Sequence, residues 1–363
     1  MQVVDLDALE AAGIADAHGR AGLIAYLDSL GFTAEEMVDA ERRGRLFGLA
    51  GDVLQWSGRP TYSLRAAAER LGVPLGDLAR AWQALGLAVT DPDQPALSEA
   101  DVDALASWQT ITTVTGADAA LNFLRIIGAT MARLSEASGT MIRIAQPDML
   151  MTHSRDELTT ARAYRAVAEL MPGISALMDA VWRHHITSAR AYFEQVIHDS
   201  SAMVTCGVGF ADLSGFTVLT QQLSPTELAD LLVEFSGAVS DVVHGDGGRV
   251  VKFIGDEVMW VTSTPEQLLT VATDLVEYPR ARETGLGVRA GLGYGLVLGL
   301  GGDYFGTPVN LAARLVSAAA PGQVLAAADL RDELPDRPAT RLDPLTLKGF
   351  EGPVTAYDLH IGR

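Results

Sequence analysis

Two aspartates stand at predicted strand ends, where their carboxylates could bind metal ions. Asp212 follows the apolar segment from Met203 to Ala211, and Asp256 lies within the segment from Gly247 to Thr262. This second segment predicts two strands joined by a tight turn at Gly255-Asp256, because apolar residues flank a turn-forming pair. Carboxylates at neighbouring strand ends can share two divalent cations, which bind the attacking and leaving oxygens of a phosphoryl group. Each aspartate alone also fits an ordinary solvated turn.

A lysine lies on the first strand of this hairpin, beside its acidic turn. Two-residue alternation places Lys252 on one face with Val250 and Ile254, and it places Val251 and Phe253 on the other face. A cation on a rigid strand is costly inside an apolar core but suits a nucleotide or phosphate. The hairpin is therefore a candidate nucleotide site.

A glycine turn follows Asp212 and predicts phosphate contacts. Gly215, Phe216 and Thr217 lead from the strand end into a predicted helix. Free backbone N–H groups and the positive end of the helix dipole attract polyphosphates at such a helix start. Asp212 would then lie beside the bound phosphates.

An amide and a guanidinium share one face of a later predicted helix. Thr307 is its predicted N-cap and Pro308 its first residue, so Asn310 and Arg314 stand four residues apart on one side. Together they could orient a ribose and neutralise charge that develops on a phosphate. A solvated surface pair would have the same spacing.

Two further charged residues complete the candidates. Asp303 precedes that helix, and its oxygens could accept a hydrogen bond from an exocyclic amine. Lys348, in the segment LTLKGFEGP, is a single cation that would be assigned to the surface from its own context.

Alternating strands and helices must position these residues in the C-terminal half. The pattern after Ser200 predicts an α+β domain whose helices pack on one face of a largely antiparallel sheet. The predicted strands are Met203–Ala211, the hairpin strands within Arg249–Thr262, Gly287–Leu298, and segments near Leu342–Lys348 and Val354–Ile361. The predicted helices are Thr226–Val243, Pro265–Val276 and Pro308–Ala319.

The N-terminal half predicts a helical bundle. From Asp5 to about Asp199, apolar residues recur at three- and four-residue spacing without a convincing alternating strand. An amphipathic helix from Gly173 to His198 is predicted to join the halves, and a continuous helix can transmit rotation where a flexible tether cannot. His184, His185 and His198 on this helix could sense protons, since histidine changes charge near neutrality, or they could be surface residues without a regulatory task.

The segment from Thr61 to Leu87 resembles a DNA-binding helix-turn-helix. Its arginines form no basic face, because neighbouring carboxylates balance their charge. The arginines are Arg65, Arg70 and Arg80, and the carboxylates are Glu69, Asp77, Asp91 and Asp93. A structural helical hairpin is therefore favoured over a DNA-binding one.

Composition argues against several classes of function. The 363 residues suffice for two domains, and 48% hydrophobic with 20% charged residues is typical of a globular protein. A formal net charge of −19 argues against a nucleic-acid partner. The single cysteine, Cys206, cannot form an intramolecular disulfide and favours a cytoplasmic location. No apolar run reaches the roughly 18 residues of a membrane span, and the acidic N-terminus does not predict a signal peptide.

Four segments, taken in order, resemble the catalytic domain of class III nucleotidyl cyclases from about Met203 to the C-terminus. These segments are FADLSGFT, VVKFIGDEVMW, GGDYFGTPVNLAAR and LKGFEGP. The resemblance is specific, because chance agreement at seven separated positions is remote. It implies a ferredoxin-like catalytic domain that follows the all-α N-terminal domain.

The resemblance also implies the ligands. Asp212 and Asp256 look like the pair that binds two divalent cations, Mg²⁺ or Mn²⁺. Lys252 and Asp303 look like the pair that selects adenine, with the lysine on a ring nitrogen and the aspartate on the exocyclic amine. A guanylyl cyclase would typically carry an acidic residue at position 252, so ATP is the implied substrate.

Further roles follow from the same resemblance. Asn310 and Arg314 look like the residues that stabilise the transition state, and Lys348 resembles the lysine that holds the terminal phosphates. Two such domains pair head to tail in this family, which implies a homodimer with two composite sites. The general base is left open among Asp212, water and a substrate phosphate.

Two segments qualify this resemblance. Residues 293–296, Gly-Tyr-Gly-Leu, replace a histidine-serine-glycine-arginine stretch of some members, which weakens the grip on phosphate. Residues 301–305, GGDYF, differ by one residue from the GGDEF signature of diguanylate cyclases. That alternative is rejected, because residues 253–257, FIGDE, occupy the hairpin position that belongs to the signature.

The helical half resembles, less specifically, the regulatory region of actinobacterial cyclases whose activity responds to pH. We therefore predict a regulatory domain over residues 1–172, a linker helix over 173–199 and a catalytic domain over 200–363. The predicted enzyme makes cyclic AMP from ATP, and its helical domain responds to a proton or a small effector. The alternative is a catalytically silent, cyclase-like module that senses nucleotide.

Overall fold

The computed structural model describes residues 5–88, 90–196, 202–216, 220–221, 223–278 and 287–360, with backbone alone for 189–196 and 225. The chain divides into two compact units, Met1–Arg183 and His184–Arg363. Among the described residues, no helix is both long and apolar enough to cross a membrane.

Helices dominate the first unit, as the apolar spacing predicts. They are α1 Leu6–Ala12, α2 Ala21–Ser29, α3 Ala34–Arg42, α4 Leu49–Gln55, α5 Leu64–Leu71, α6 Leu75–Ala84, α7 Glu99–Thr115, α8 Ala117–Ala145, α9 Met151–Ser154, α10 Glu157–Ala168 and α11 Met171–Val196, with a 3₁₀ turn at Pro147–Met149. Capping boxes start two of them, Thr33 with Glu36 at α3 and Ser98 with Asp101 at α7.

A two-stranded sheet in this unit was not predicted. Strands β1 Tyr62–Ser63 and β2 Pro95–Leu97 pair antiparallel beside α5. Strands of two and three residues are too short to show an alternating pattern. Leu97 is buried with residues of α5, α6 and α7, so the predicted helical hairpin of residues 61–87 lies within a small core of its own.

The arginines of that hairpin pair with carboxylates. Arg65 forms an ion pair with Asp93, Arg70 with Glu99, and Arg80 with Asp77. The predicted absence of a basic face is therefore confirmed for these three side chains.

The predicted continuous helix from Gly173 to His198 is confirmed as far as Val196 by helix α11, and the remaining residues up to His198 lie outside the described residues. Its apolar stripe faces solvent in the single chain, and Leu177 is 63% exposed. The other exposed apolar residues of the stripe are Ile174, Val181, Trp182 and Ile186. His184 and His185 are exposed on the same helix.

The second unit is built on an eight-stranded mixed sheet. Its strands are β3 Met203–Ser214, β4 Arg249–Ile254, β5 Glu257–Thr262, β6 Gly287–Leu300, β7 Asp303–Phe305, β8 Val324–Ala327, β9 Thr340–Arg341 and β10 Ala356–Asp358. The spatial order is β4-β5-β3-β6-β8-β10-β9, and β7 pairs with β6. All pairs are antiparallel except β6 with β8. The long strand β3 therefore lies between β5 and β6, and it brings their residues together.

Helices cover both faces of this sheet, so the predicted single covered face is wrong. The helices are α12 Pro225–Gly245, α13 Pro265–Val276, α14 Thr307–Ala318 and α15 Ala328–Glu333. Residues of α12, α13 and α15 pack with Trp260 and Val258 on one face. Ala312 and Val316 of α14 pack with Met259 on the other. The alternate residues of each strand are apolar on both sides, and both sides must be buried.

Glycines on β6 let α14 approach the sheet closely. A Cβ at Gly291 would overlap the backbone of Val316, and one at Gly293 would overlap the carbonyl of Pro308. Gly293 belongs to residues 293–296, the stretch that differs from some members of the family that the sequence resembles. Its missing side chain fixes how near α14 lies to the sheet.

The C-terminal segments form less sheet than predicted. Instead of strands near Leu342–Lys348 and Val354–Ile361, the chain forms the short strands β9 and β10 and a single bridge between Leu345 and Val354.

Candidate active site

Three carboxylates meet where β3 and the β4–β5 hairpin end. Asp212 is directly opposite Glu257 in the β3–β5 register, and Asp256 occupies the hairpin turn beside them. Gly255 has φ +66°, a left-handed conformation that glycine adopts without strain, and the turn that it forms places Asp256 near enough to Asp212 for the two carboxylates to interact. The structure thus brings together the two aspartates that the sequence proposes as metal ligands.

Negative charge is in excess at this cluster. Burial raises the pKa of Asp256, and the neighbouring Asp212 carboxylate raises it further. Burial and, to a smaller extent, the charges of Asp212 and Asp256 together raise the pKa of Glu257 to about 7. Arg289 and Arg314 act in the opposite direction on Glu257. The cluster therefore favours binding of positive charge.

Sequence reasoning missed Arg289, which binds Asp212. Arg289 is directly opposite Asp212 in the β3–β6 register, and its Nε donates to Asp212 Oδ2 at 2.9 Å. Its Nη1 also donates to the carbonyl of Ala319 at 3.3 Å, so the guanidinium is held from two sides. The alternating pattern of β6 places Arg289 between two apolar positions, but only the sheet order reveals its partner.

Lys252 forms an ion pair with Asp303, and a bulge in β4 places it on the other face of the sheet from Val250. The β4–β5 register shifts between Val250 and Lys252, which marks a bulge at Val251. Val250 is therefore opposite Trp260, whereas Lys252 is opposite Met259 on the other face. The predicted shared face is therefore wrong for Val250 and right for Lys252 and Ile254. The predicted shared face of Val251 and Phe253 is also wrong, because the two residues pack in different clusters.

The bulge brings Lys252 to the start of β7. Its Nζ donates to Asp303 Oδ2, and the backbone N–H of Tyr304 donates to Asp303 Oδ1 at 2.9 Å. The two side chains are about a third exposed, 35% for the lysine and 30% for the aspartate. The pair is therefore preformed and accessible to a ligand.

Asn310 and Arg314 lie exposed on α14, four residues apart. Their helix starts one residue earlier than predicted, because Gly306 is the N-cap and Thr307 the first helical residue. The predicted N-cap role of Thr307 is therefore wrong. Ala312 and Val316 are buried on the opposite side of α14, which orients the two polar residues outward.

Lys348 is exposed beside the buried Leu347. In the described part of the chain, no hydrogen bond or ion pair joins Lys348, Asn310 or Arg314 to the other predicted site residues. Gly215 has φ +89° and Phe216 packs on the core, whereas Thr217 lies outside the described residues.

A divalent cation fits the carboxylate cluster. Its donors are carboxylate oxygens, which Mg²⁺ and Mn²⁺ prefer, and a cation would relieve the repulsion that adds to the effect of burial on the pKa values of Asp256 and Glu257. Within the described ranges, no three His, Cys, Asp or Glu side chains form a complete metal site. Asp212 and Asp256 would therefore need a substrate's phosphate oxygens to complete the coordination.

Both halves of the chain match known protein families. Residues 4–189 match the adenylate cyclase regulatory domain, and residues 199–361 match the adenylate and guanylate cyclase catalytic domain. The chain is similar to an uncharacterised Mycobacterium tuberculosis protein, with 65% identity over 98% of this chain and 94% of that protein.

Named relatives cover both halves as well. An adenylate cyclase of Streptomyces coelicolor is 34% identical over 75% of this chain and 71% of its own. A pH-sensitive adenylate cyclase of M. tuberculosis is 31% identical over 83% and 78%. The crystal structure of the adenylyl cyclase CyaB from P. aeruginosa is 26% identical over 44% of this chain and 96% of that one, with a TM-score of 0.41. The chain therefore belongs to the class III adenylate cyclases that carry an adenylate cyclase regulatory domain.

Proposed function

We propose that this enzyme converts ATP to 3′,5′-cyclic AMP and pyrophosphate at two composite sites of a head-to-tail homodimer. The observation that carries this proposal is the pair of preformed arrangements on one sheet. Asp212 and Asp256 meet at one end of β3, and Lys252 binds Asp303 near β7. Relatives that are named adenylate cyclases support the substrate and product.

Asp212 and Asp256 would hold two divalent cations, Mg²⁺ or Mn²⁺. Bound there, the cations would make the ribose 3′-hydroxyl more acidic and neutralise charge on the phosphates. Arg289 keeps Asp212 in place through its hydrogen bonds to the carboxylate and to Ala319. The carboxylates are therefore oriented by the chain itself.

Lys252 and Asp303 would select the adenine base. The ammonium can donate to a ring nitrogen, and the carboxylate can accept from the exocyclic amine. Lys252 and Asp303 bind each other before the substrate arrives. Adenine would therefore replace the one hydrogen bond between them by two hydrogen bonds to its own edge. Guanine presents a carbonyl where adenine has its amine, and the Asp303 carboxylate would repel it.

The remaining residues would act on the sugar and the phosphates. Asn310 would orient the ribose, and Arg314 would stabilise charge on the transferring phosphoryl group. Lys348 would hold the terminal phosphates, and the turn at Gly215, Phe216 and Thr217 would contribute backbone N–H groups.

Exposed residues support assembly of the site from two subunits. Asn310 and Arg314 point outward from α14, and the apolar Leu296, Leu300 and Phe305 are exposed on β6 and β7. Exposed apolar side chains grouped on neighbouring strands are typical of a protein interface. A second copy covering them would bring its own carboxylates to these residues.

The helical half would regulate assembly of the site. Helix α11 runs without a break from Met171 to Val196, which would couple the regulatory residues 1–172 to the catalytic residues 200–363 through the linker 173–199. The exposed His184 and His185, together with His198, are the proposed proton-sensing residues, and a relative that is named pH-sensitive supports this regulation.

Mixing two inactive variants tests the composite site. Asp212→Ala and Asn310→Ala should each be inactive alone, because each homodimer has the same defect in both sites. Random exchange of subunits should restore about a quarter of wild-type cyclic AMP synthesis from Mn-ATP, since half the dimers then carry one intact site. The matched control mixes Asp212→Ala with Asp256→Ala, whose defects lie in the same half-site.

That control mixture should stay inactive. Equal recovery in both mixtures, or none in either, contradicts a composite site. If the wild type itself makes no cyclic AMP from Mn-ATP across a pH range, the chain is instead a silent module that senses nucleotide.

A further inference from the structure

Two cations of β4 reach β7 from the same face of the sheet. Strict alternation would place Arg249 and Lys252 on opposite faces, because they are three residues apart. The bulge at Val251 changes this, and Arg249 is opposite Val261 whereas Lys252 is opposite Met259. Val261 and Met259 are two residues apart on β5 and belong to one buried cluster. The extra residue in β4 therefore gives both cations the same face.

Each cation contacts one of two consecutive residues of β7. Lys252 Nζ donates to Asp303 Oδ2, and Arg249 Nη2 donates to the hydroxyl of Tyr304. The backbone N–H of Tyr304 donates in turn to Asp303 Oδ1 at 2.9 Å. One oxygen of the Asp303 carboxylate is therefore held by Lys252, and the other is held by the residue that Arg249 contacts.

Tyr304 anchors this arrangement in the core. Its side chain is 4% exposed and packs in a cluster with Val204 and Val297. A buried tyrosine hydroxyl needs a hydrogen-bond partner, and the guanidinium of Arg249 is a charged donor, which makes the stronger kind of hydrogen bond. Strand β7 is only three residues long, so the position of Tyr304 determines where its neighbour Asp303 lies.

We propose that Arg249 and Tyr304 are positioning residues for base selection, an inference that rests on the nucleotide site proposed above. Their contact fixes β7 so that Asp303 accepts from the exocyclic amine of adenine while Lys252 donates to a ring nitrogen. Neither Arg249 nor Tyr304 touches the base. Without their contact the peptide that joins residues 303 and 304 shifts, and the carboxylate meets the amine with poorer hydrogen-bond geometry.

Two nucleotides that cannot be cyclised measure this role. 3′-Deoxy-ATP lacks the attacking hydroxyl, and the 3′-deoxy triphosphate of purine riboside also has hydrogen in place of the exocyclic amine. The difference between their affinities for the full-length protein with Mn²⁺ reports the amine contact. Calorimetry should show about tenfold tighter binding of 3′-deoxy-ATP to the wild type, because a carboxylate is a strong hydrogen-bond acceptor.

Two single variants break the contact from its two sides. Tyr304→Phe keeps the buried ring and removes the hydroxyl, whereas Arg249→Met keeps the aliphatic part of the side chain and removes the charge. Each should reduce the preference for 3′-deoxy-ATP by about threefold to fivefold and leave the affinity for the purine nucleotide nearly unchanged. The double variant should lose no more preference than either single variant, because both substitutions break one contact.

Two further variants control for substitution itself. Arg249→Lys keeps the positive charge and should retain more of the preference than Arg249→Met. The matched control is Tyr357→Phe, which removes a tyrosine hydroxyl from β10 of the same sheet and should keep the preference of the wild type.

The proposal is overturned if the wild type binds the two nucleotides equally, or if the single variants keep its preference. Equal weakening of both nucleotides also overturns it, since Arg249 and Tyr304 would then support the domain as a whole rather than the amine contact. Failure of the proposed function has a different result. A wild type that makes no cyclic AMP from Mn-ATP, but prefers 3′-deoxy-ATP and loses this preference in both single variants, supports the positioning role without the cyclase reaction.

Discussion

Replacing Glu257 by glutamine should remove a pH-dependent loss of stability from the metal-free protein. Glu257 lies against Asp212 and Asp256, and its pKa is raised to about 7, first by burial and then by their charges. The folded protein therefore prefers the neutral carboxyl. Its stabilising contribution is complete below the unfolded pKa near 4.5 and is lost as the pH rises through 7.

The size of this effect follows from the two pKa values. A rise from 4.5 to about 7 corresponds to about 3.4 kcal/mol at 1.36 kcal/mol for each pKa unit. Because Glu257 is only half-buried, solvent screening reduces this figure to about 1.5–2 kcal/mol. About 1–1.5 kcal/mol of this stabilising free energy is lost between pH 5 and pH 8.

Urea unfolding in EDTA at pH 5 and pH 8 measures this pH-dependent contribution of Glu257 to stability. The free energy of unfolding of the wild type should fall between these pH values by about 1–1.5 kcal/mol more than that of Glu257→Gln. The double difference cancels the shared titrating groups that do not interact with Glu257, so it reports Glu257 together with its effect on Asp212 and Asp256. Glu351→Gln, at an exposed glutamate of the same unit, is the matched control and should follow the wild type. Parallel pH profiles for wild type and Glu257→Gln would refute the assigned charge excess.

Three further predictions concern the neighbouring groups. Arg289→Met should destabilise the protein by about 1–3 kcal/mol in urea unfolding at pH 7, because it leaves the mostly buried Asp212 without a partner, and Arg289→Lys should restore part of the loss. Lys252→Met should lower kcat/KM for ATP by about tenfold to a hundredfold in a cyclic AMP assay, and an unchanged value would remove this lysine from base recognition. Deleting residues 1–195 should change the specific activity or its pH profile. Replacing His184, His185 and His198 by alanine should flatten a pH response. Unchanged kinetics in both variants would exclude regulation through α11.

Local chemistry was sufficient to predict the hairpin and α13. Gly255-Asp256 forms the turn, and α13 has the predicted bounds of Pro265 and Val276, because Thr264 caps it and Pro265 starts it. The pairing of Asp212 with Asp256 also follows from two motifs at strand ends. These features depend on a few adjacent residues, which sequence patterns report well.

Long-range pairing was not predictable in the same way. The bulge at Val251 depends on the register with β5, and the Arg289 contact depends on β3 lying beside β6. Strand β8, Val324–Ala327, is a run of four apolar residues without alternation, which cannot be distinguished from helix by pattern alone. Sheet order decides each of these features, and no local spacing encodes it.

The bulge at Val251 has a second effect, on how the protein avoids aggregation. Strand β4 is the outermost strand of its sheet, so its outer backbone groups could pair with a strand of another chain. An extra residue twists such an edge and interrupts the regular spacing of backbone groups that an incoming strand would pair with. The bulge that places Lys252 beside Asp303 therefore also disfavours pairing of β4 with a strand of another chain.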